Sequence, residues 1–193
     1  VVAQGCRPIG QPMLVTQVEG QLVHALGQRK PMEVMQELHA GLDPSDRALF
    51  ERAVFLGVEM RDQVEYGRGD FLIRNVLGIE PRSGALAVDA RLDPWKAVQF
   101  HLRDAAAFRE DLRACLDRAG ADGFAPTAAL LFSCLGRGEG LYGEPSHDTR
   151  AVRERFGDIP VGGFFCNGEI GRVGDRTYLH GYTSTLVLLE PTP

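Results

Sequence analysis

Three short apolar runs in the last third of the chain, 128–134, 161–165 and 185–189, leave few choices for how it folds. Each has the length of a β-strand and falls far below the ~18 residues of a membrane-crossing helix. Between the second and third runs lies Cys166-Asn167-Gly168-Glu169-Ile170-Gly171, then Tyr178-Leu179-His180-Gly181-Tyr182. Glycine lacks a Cβ and accepts positive φ, so this backbone can turn sharply or approach another group closely. A tight strand connection and a ligand pocket both use that freedom.

The rest of the chain reads as strands and helices in irregular alternation. Residues 13–17 and 21–26 flank Glu19-Gly20 as a hairpin or bent strand. Pro31 suits the first turn of a helix with Met32, Met35, Leu38 and Leu42 on one face and Gly41 near its end. Asp43-Pro44-Ser45-Asp46 opens a second helix, which ends before an apolar strand over 54–60. Residues 61–70 form an exposed loop. Strands over 71–79 and 84–88 flank the turn Glu80-Pro81-Arg82-Ser83, and 96–102 alternates as a further strand.

Asp104 can cap a helix over 105–118 whose Phe108, Leu112, Cys115 and Leu116 form one stripe. The runs 128–134 and 161–165 read as strands buried on both faces, with a helix over 147–156 between them and one last strand over 177–189. Many strands joined directly by turns predict an α+β fold: mainly antiparallel, mixed sheets flanked by three to four helices.

Composition narrows the function classes. The 193 residues suffice for a sizeable core, and 44% hydrophobic with 24% charged residues is an ordinary globular balance. A net charge of -5 argues against nucleic acid, which needs a basic footprint. No membrane span and no secretory leader is visible. Cys6, Cys115, Cys134 and Cys166 are scattered, without metal-knuckle spacing, which suits reduced thiols and a cytoplasmic location. No metal and no cofactor is expected.

Chemistry-bearing residues cluster toward the C-terminal half. Gly136-Arg137-Gly138-Glu139-Gly140 follows a strand but lacks the Lys and Ser/Thr of a phosphate loop. It serves either as a flexible connection or as an anion contact in which Arg137 clamps a carboxylate, with Gly136 allowing close approach. Glu169 and Asn167, separated by Gly168, can take an amine or amide; Glu169 can equally pair with Arg74 or Arg137 or cap backbone amides. Arg74 and Asn75 interrupt an apolar strand, so one of them faces inward unless a bulge intervenes. Cys134 or Cys166 could act as a nucleophile with His180 or His147, though packing is the commoner role of a buried cysteine. His180 and Tyr182 complete the candidate set, and no catalytic residue is assigned.

Four stretches carry a resemblance: Gly5-Cys6-Arg7-Pro8-Ile9-Gly10, Phe71-Leu72-Ile73-Arg74-Asn75, Leu131-Phe132-Ser133-Cys134-Leu135-Gly136-Arg137-Gly138, and Gly163 to Gly171 with Leu179-His180-Gly181-Tyr182-Thr183. In this order they resemble the FIST family, the F-box and intracellular signal transduction proteins. The family's usual continuation after Glu-Ile-Gly is closer to Pro-Val-Gly-Gly, where this chain has Arg172-Val173-Gly174-Asp175.

The resemblance implies a sensory module of bacterial signalling proteins, with amino acids as suggested ligands, and F-box-linked substrate receptors among eukaryotic relatives. It also implies that residues 1–25 end a preceding N-terminal FIST half and that 26–193 form the C-terminal FIST domain. The expected function is therefore a non-enzymatic cytoplasmic sensor of a small polar ligand such as an amino acid. Its partners would be the N-terminal FIST half or a signalling partner domain. A protein-interaction module is the alternative, and a thiol-dependent hydrolase the third reading.

Overall fold

The computed structural model describes residues 1–191. The chain forms two compact units, one made of Cys6–Asp104 and the other of Val1–Gly5 with Ala105–Pro193. These boundaries do not follow the division after residue 25 drawn from the sequence.

The first unit is a closed antiparallel barrel with strand order β2-β3-β6-β5-β4-β7. Its strands are β2 (Arg7–Glu19), β3 (Leu22–Leu26), β4 (Val54–Glu59), β5 (Phe71–Ile79), β6 (Leu86–Val88) and β7 (Ala97–Leu102). Closure depends on the long β2, which pairs with β7 through its first part and β3 through its second, with a register shift between Ile9 and Met13. A bulge of this kind bends the strand so that one ribbon serves two neighbours. Val15, Val23, Leu56, Leu86, Val88, Val98, Phe100 and Leu102 fill the interior, and a closed ladder leaves no sheet edge to protect.

Two helices belong to the barrel unit, α1 (Pro31–Gly41) and α2 (Pro44–Ala53). Pro31 and Pro44 stand in the first turns, where no intrahelical N–H is needed. The Asp43 carboxylate caps α2 by accepting from the backbone N–H groups of Ser45 and Asp46, at the helix start that the sequence places here.

In the second unit, β1 (Val2–Ala3), β8 (Ala128–Cys134), β9 (Val161–Cys166) and β12 (Ser184–Leu189) form a sheet of order β1-β12-β8-β9. All pairs are antiparallel except β8 with β9. A parallel pair requires a crossover, supplied here by α4 (Glu139–Tyr142) and α5 (His147–Phe156). Helix α3 (Ala105–Ala119) buries Phe108, Leu112, Cys115 and Leu116, the stripe its spacing predicts. Leu112, Leu116 and Val152 pack with Ala129, Leu131 and Leu186 of the sheet as one core. A hairpin of β10 (Glu169–Val173) and β11 (Arg176–His180) completes the unit.

The fold is α+β with antiparallel and mixed sheets, as expected, with α4 as an additional single turn. Two expectations change. Neither 128–134 nor 161–165 is a doubly buried strand: Leu130 of β8 is 40% exposed, β9 lies at the end of the strand order, and Phe164 and Phe165 are exposed. An apolar run is compatible with burial, but lateral position in a sheet is set by pairing that the run does not encode. The single strand over 177–189 is two, β11 and β12, because Tyr182 takes a left-handed φ of 63° between them.

Candidate functional site

The parallel register of β8 and β9 organises the chemistry of the second unit. It places Cys134 beside Cys166 and Ser133 beside Phe165. Immediately after Cys166 the chain turns through Asn167 and Gly168 into β10, which carries Glu169 inward, only 2% exposed. Glu169 Oε1 accepts from Gly168 N at 3.2 Å and lies 3.5 Å from Cys166 Sγ, while Oε2 accepts from Thr183 N at 3.2 Å. Burial pushes the Glu169 carboxyl upward, with the donors of Thr183, Cys166, Gly168 and Cys134 opposing that shift. Glu169 thus acts as a clasp between the β9–β10 turn and the segment entering β12.

The neighbouring thiols are tied into the same arrangement. Cys166 Sγ also lies 3.5 Å from Ser133 O, and Cys134 Sγ accepts from Gly136 N. Burial, followed by the Glu169 carboxylate, pushes the Cys166 thiol up to about 11. A nucleophilic cysteine needs the opposite setting, a nearby cation that favours thiolate. His180 is buried with its Nε2 3.1 Å from Gly171 O.

A second group joins β8, β12 and α5. Asp148 Oδ2 accepts from Ser133 Oγ at 2.9 Å, Ser184 Oγ at 2.7 Å and Arg137 Nε at 2.9 Å, and Oδ1 accepts from Arg137 Nη2 at 3.2 Å. Burial alone would raise Asp148; the Arg137 guanidinium and the two hydroxyls outweigh it and hold the carboxyl below its ordinary value. Arg137 lies over the Phe108 ring at 4.9 Å and its side chain is fully buried. The anion that Arg137 clamps is therefore Asp148, correcting the expectation that it holds a ligand carboxylate. The sequence places Arg137 in a glycine-rich loop, and folding turns it inward onto α5.

Beside this network lies a cavity of about 200 Å³. Five consecutive residues of β9, Val161 to Phe165, form one side. Leu131 and Ser133 of β8, Gly138, and the first turn of α5 from Ser146 to Thr149 form the others. Ser146 takes a left-handed φ of 57° at the N-cap of α5 and makes no side-chain cap hydrogen bond, so the first backbone N–H groups of α5 are left without that cap. β9 can line this space because Gly163 adopts φ 145°: a Cβ there would stand 1.8 Å from Leu131 O. His147 lines the same space, with Nδ1 3.0 Å from Glu144 Oε1 and its ring tilted by 35° against Tyr142, centroids 4.1 Å apart.

Of the sequence candidates, Cys134, Gly136, Gly168, Glu169, His180 and Tyr182 fall in or beside the Glu169 clasp, and none lines the cavity. Asn167 is exposed on the adjoining turn. Arg74 and Asn75 belong to β5 of the barrel, both half-buried, with Asn75 Nδ2 3.4 Å from Asp89 Oδ2. Burial lowers the Arg74 guanidinium, with Asp89 opposing.

Sequence reasoning passed over Ser133, Ser146, Asp148, Thr149 and Ser184. The available signal was Ser146-His147-Asp148-Thr149 opening a polar helix after a glycine-rich loop, a pattern suited to anion contacts at a helix start. Among the described residues no group of three His, Cys, Asp or Glu side chains could hold a metal ion, and no helix is long and apolar enough to cross a membrane.

Comparison with known proteins fits this architecture to a family. The FIST C domain model matches residues 31–172. The uncharacterized protein Rv0628c of Mycobacterium tuberculosis is 40% identical over 190 residues, covering 97% of this chain and 50% of its own. The uncharacterized protein Mb0898c of Mycobacterium bovis is 41% identical over 191 residues, covering 97% and 49%. The F-box/LRR-repeat protein At5g63520 of Arabidopsis thaliana is 34% identical over 76 residues, covering 33% of this chain and 14% of its own. The chain spans about half the length of its mycobacterial relatives. It belongs to the FIST C domain family, a family of signal-transduction sensory domains.

Proposed function

We propose that this domain senses a small zwitterion such as an amino acid in the cavity between β9 and the start of α5. The observation that carries the reading is the meeting of an uncapped helix start with the exposed backbone of a glycine-bearing strand around one partly open cavity. Helix N-termini favour carboxylates through their free N–H groups and aligned dipoles. Strand carbonyls suit an ammonium group, and Leu131, Val161 and Phe165 offer an apolar wall for a side chain. The volume is below the ~300–1,000 Å³ of sites for drug-sized ligands, which favours a metabolite of few atoms. The buried Arg137–Asp148 pair supports the cavity from behind, as a rigid positioning element. The raised Cys166 thiol weighs against the thiol-hydrolase alternative.

Thermal melting against the standard amino acids tests this reading. At least one should raise Tm in a concentration-dependent way. Thr149→Tyr, which fills the cavity from the partly buried third residue of α5, should abolish that rise while leaving the unliganded Tm unchanged. A panel in which no amino acid shifts Tm, or a shift that survives both Thr149→Tyr and His147→Ala, rejects it.

A further inference from the structure

The sheet of the second unit has two faces of different fate. Ala129, Leu131 and Leu186 point to the helices and are buried. The opposite face carries Leu130, Phe132, Phe164, Val187 and Leu189, with Val187 beside Leu130 and Phe132 beside Phe164 in register. Phe164 is 64% exposed, Leu189 44%, Val187 43% and Leu130 40%. The Phe132 and Phe164 rings meet edge to face at 5.1 Å. The β10–β11 hairpin lies across one end of this face: a Cβ on Gly171 would stand 2.5 Å from Val2 Cγ2 and 3.1 Å from Thr185 Oγ1. The remainder, Leu130, Val187, Leu189 and Phe164, stays open and uncharged.

We propose that this face docks the other half of a double-length chain, of the kind found in the mycobacterial relatives, through an uncharged apolar layer of that half. Two observations select this occupant. The relatives carry about as much chain again as the part matched here. The open side chains amount to a few hundred Å² on the order of a single exposed patch. That is short of the ~800 Å² per partner of stable complexes between free proteins. Contacts between domains of one chain are stable at smaller areas, because the tether supplies an effective concentration in about the millimolar range. The surface therefore suits a covalently linked neighbour better than a second copy of this chain.

The experiment joins to this chain, in native order, the half of Rv0628c that it does not match, and compares the product with the 193-residue chain alone. Leu130→Cys and Val187→Cys are labelled with a maleimide, sites being resolved by peptide mass spectrometry, with Val64→Cys on the barrel loop as an open control. The introduced thiols on the sheet face should react at least tenfold more slowly in the joined chain, and the control equally in both. Equal labelling in the two chains overturns the proposal. Slow labelling in the 193-residue chain that deepens with its concentration also overturns it, in favour of a second copy. Leu130→Glu with Val187→Lys, an exposed cross-strand pair outside the cavity, provides a check that does not depend on the joined chain folding. The pair must leave Tm of the 193-residue chain unchanged, and a fall of several degrees shows the face already covered, which overturns the proposal.

Discussion

Arg137 and Asp148 face each other inside the second unit as a two-point ion pair, Nε to Oδ2 at 2.9 Å and Nη2 to Oδ1 at 3.2 Å. The pair links the loop after β8 to the first turn of α5, and Ser133 and Ser184 bind the same carboxylate from two adjacent strands. Helix start, loop and sheet are thereby fixed relative to one another around the cavity.

Removing one partner of this pair leaves the other charge buried. Asp148→Asn should destabilise the domain by about 3–5 kcal/mol, whereas Arg137→Met with Asp148→Leu should recover much of the loss. Urea denaturation followed by far-UV circular dichroism measures both. A single variant within about 1 kcal/mol of the parent would contradict a structural role for the pair.

The two adjacent glycines of β9 should respond differently. Gly163→Ala places a methyl against the Leu131 carbonyl in a left-handed backbone and should cost about 3 kcal/mol or more. Gly162→Ala meets only Leu130 Cδ2 at 3.7 Å and should change stability by less than about 1 kcal/mol. The difference in denaturation midpoint between the variants is the readout.

Glu169 introduces a pH dependence of defined sign. Its folded carboxyl is raised, so the stabilising neutral form is fully present below the ordinary value of 4.5 and is lost as pH rises through the folded pKa. Glu169→Gln keeps an uncharged side chain throughout. The stability gap between parent and Glu169→Gln should therefore shift against the parent as pH is raised from 4 to 8, measured by denaturation at each pH.

The Cys166 thiol should be a poor nucleophile. With its titration near 11, fewer than about one in a thousand molecules carries thiolate at pH 8, against roughly a quarter for an ordinary thiol. Iodoacetamide should modify it slowly at pH 7 and faster by about tenfold per pH unit up to pH 10. Rapid modification at neutral pH would contradict the burial and carboxylate contact assigned to it.

The sequence by itself determined the local elements of this protein. Pro31 and Pro44 mark helix starts, Asp43 caps α2, the stripe of Phe108, Leu112, Cys115 and Leu116 fixes the buried side of α3, and the three late apolar runs become β8, β9 and β12. These signals are local, carried by backbone preference and by the periods of helix and strand. The family motifs also brought Cys134, Glu169 and His180 forward as residues of one unit. Only the tertiary structure decided what each of them does. Arg137 is held by Asp148 eleven residues on, and Glu169 by Thr183 fourteen residues on, pairings that depend on β8 and β9 lying parallel around a crossover. The exposure of Phe164, with Leu130 and Val187 of the same face, follows from a sheet face that no other element of the unit covers fully, since an apolar run records a preference for burial and not the neighbour that provides it.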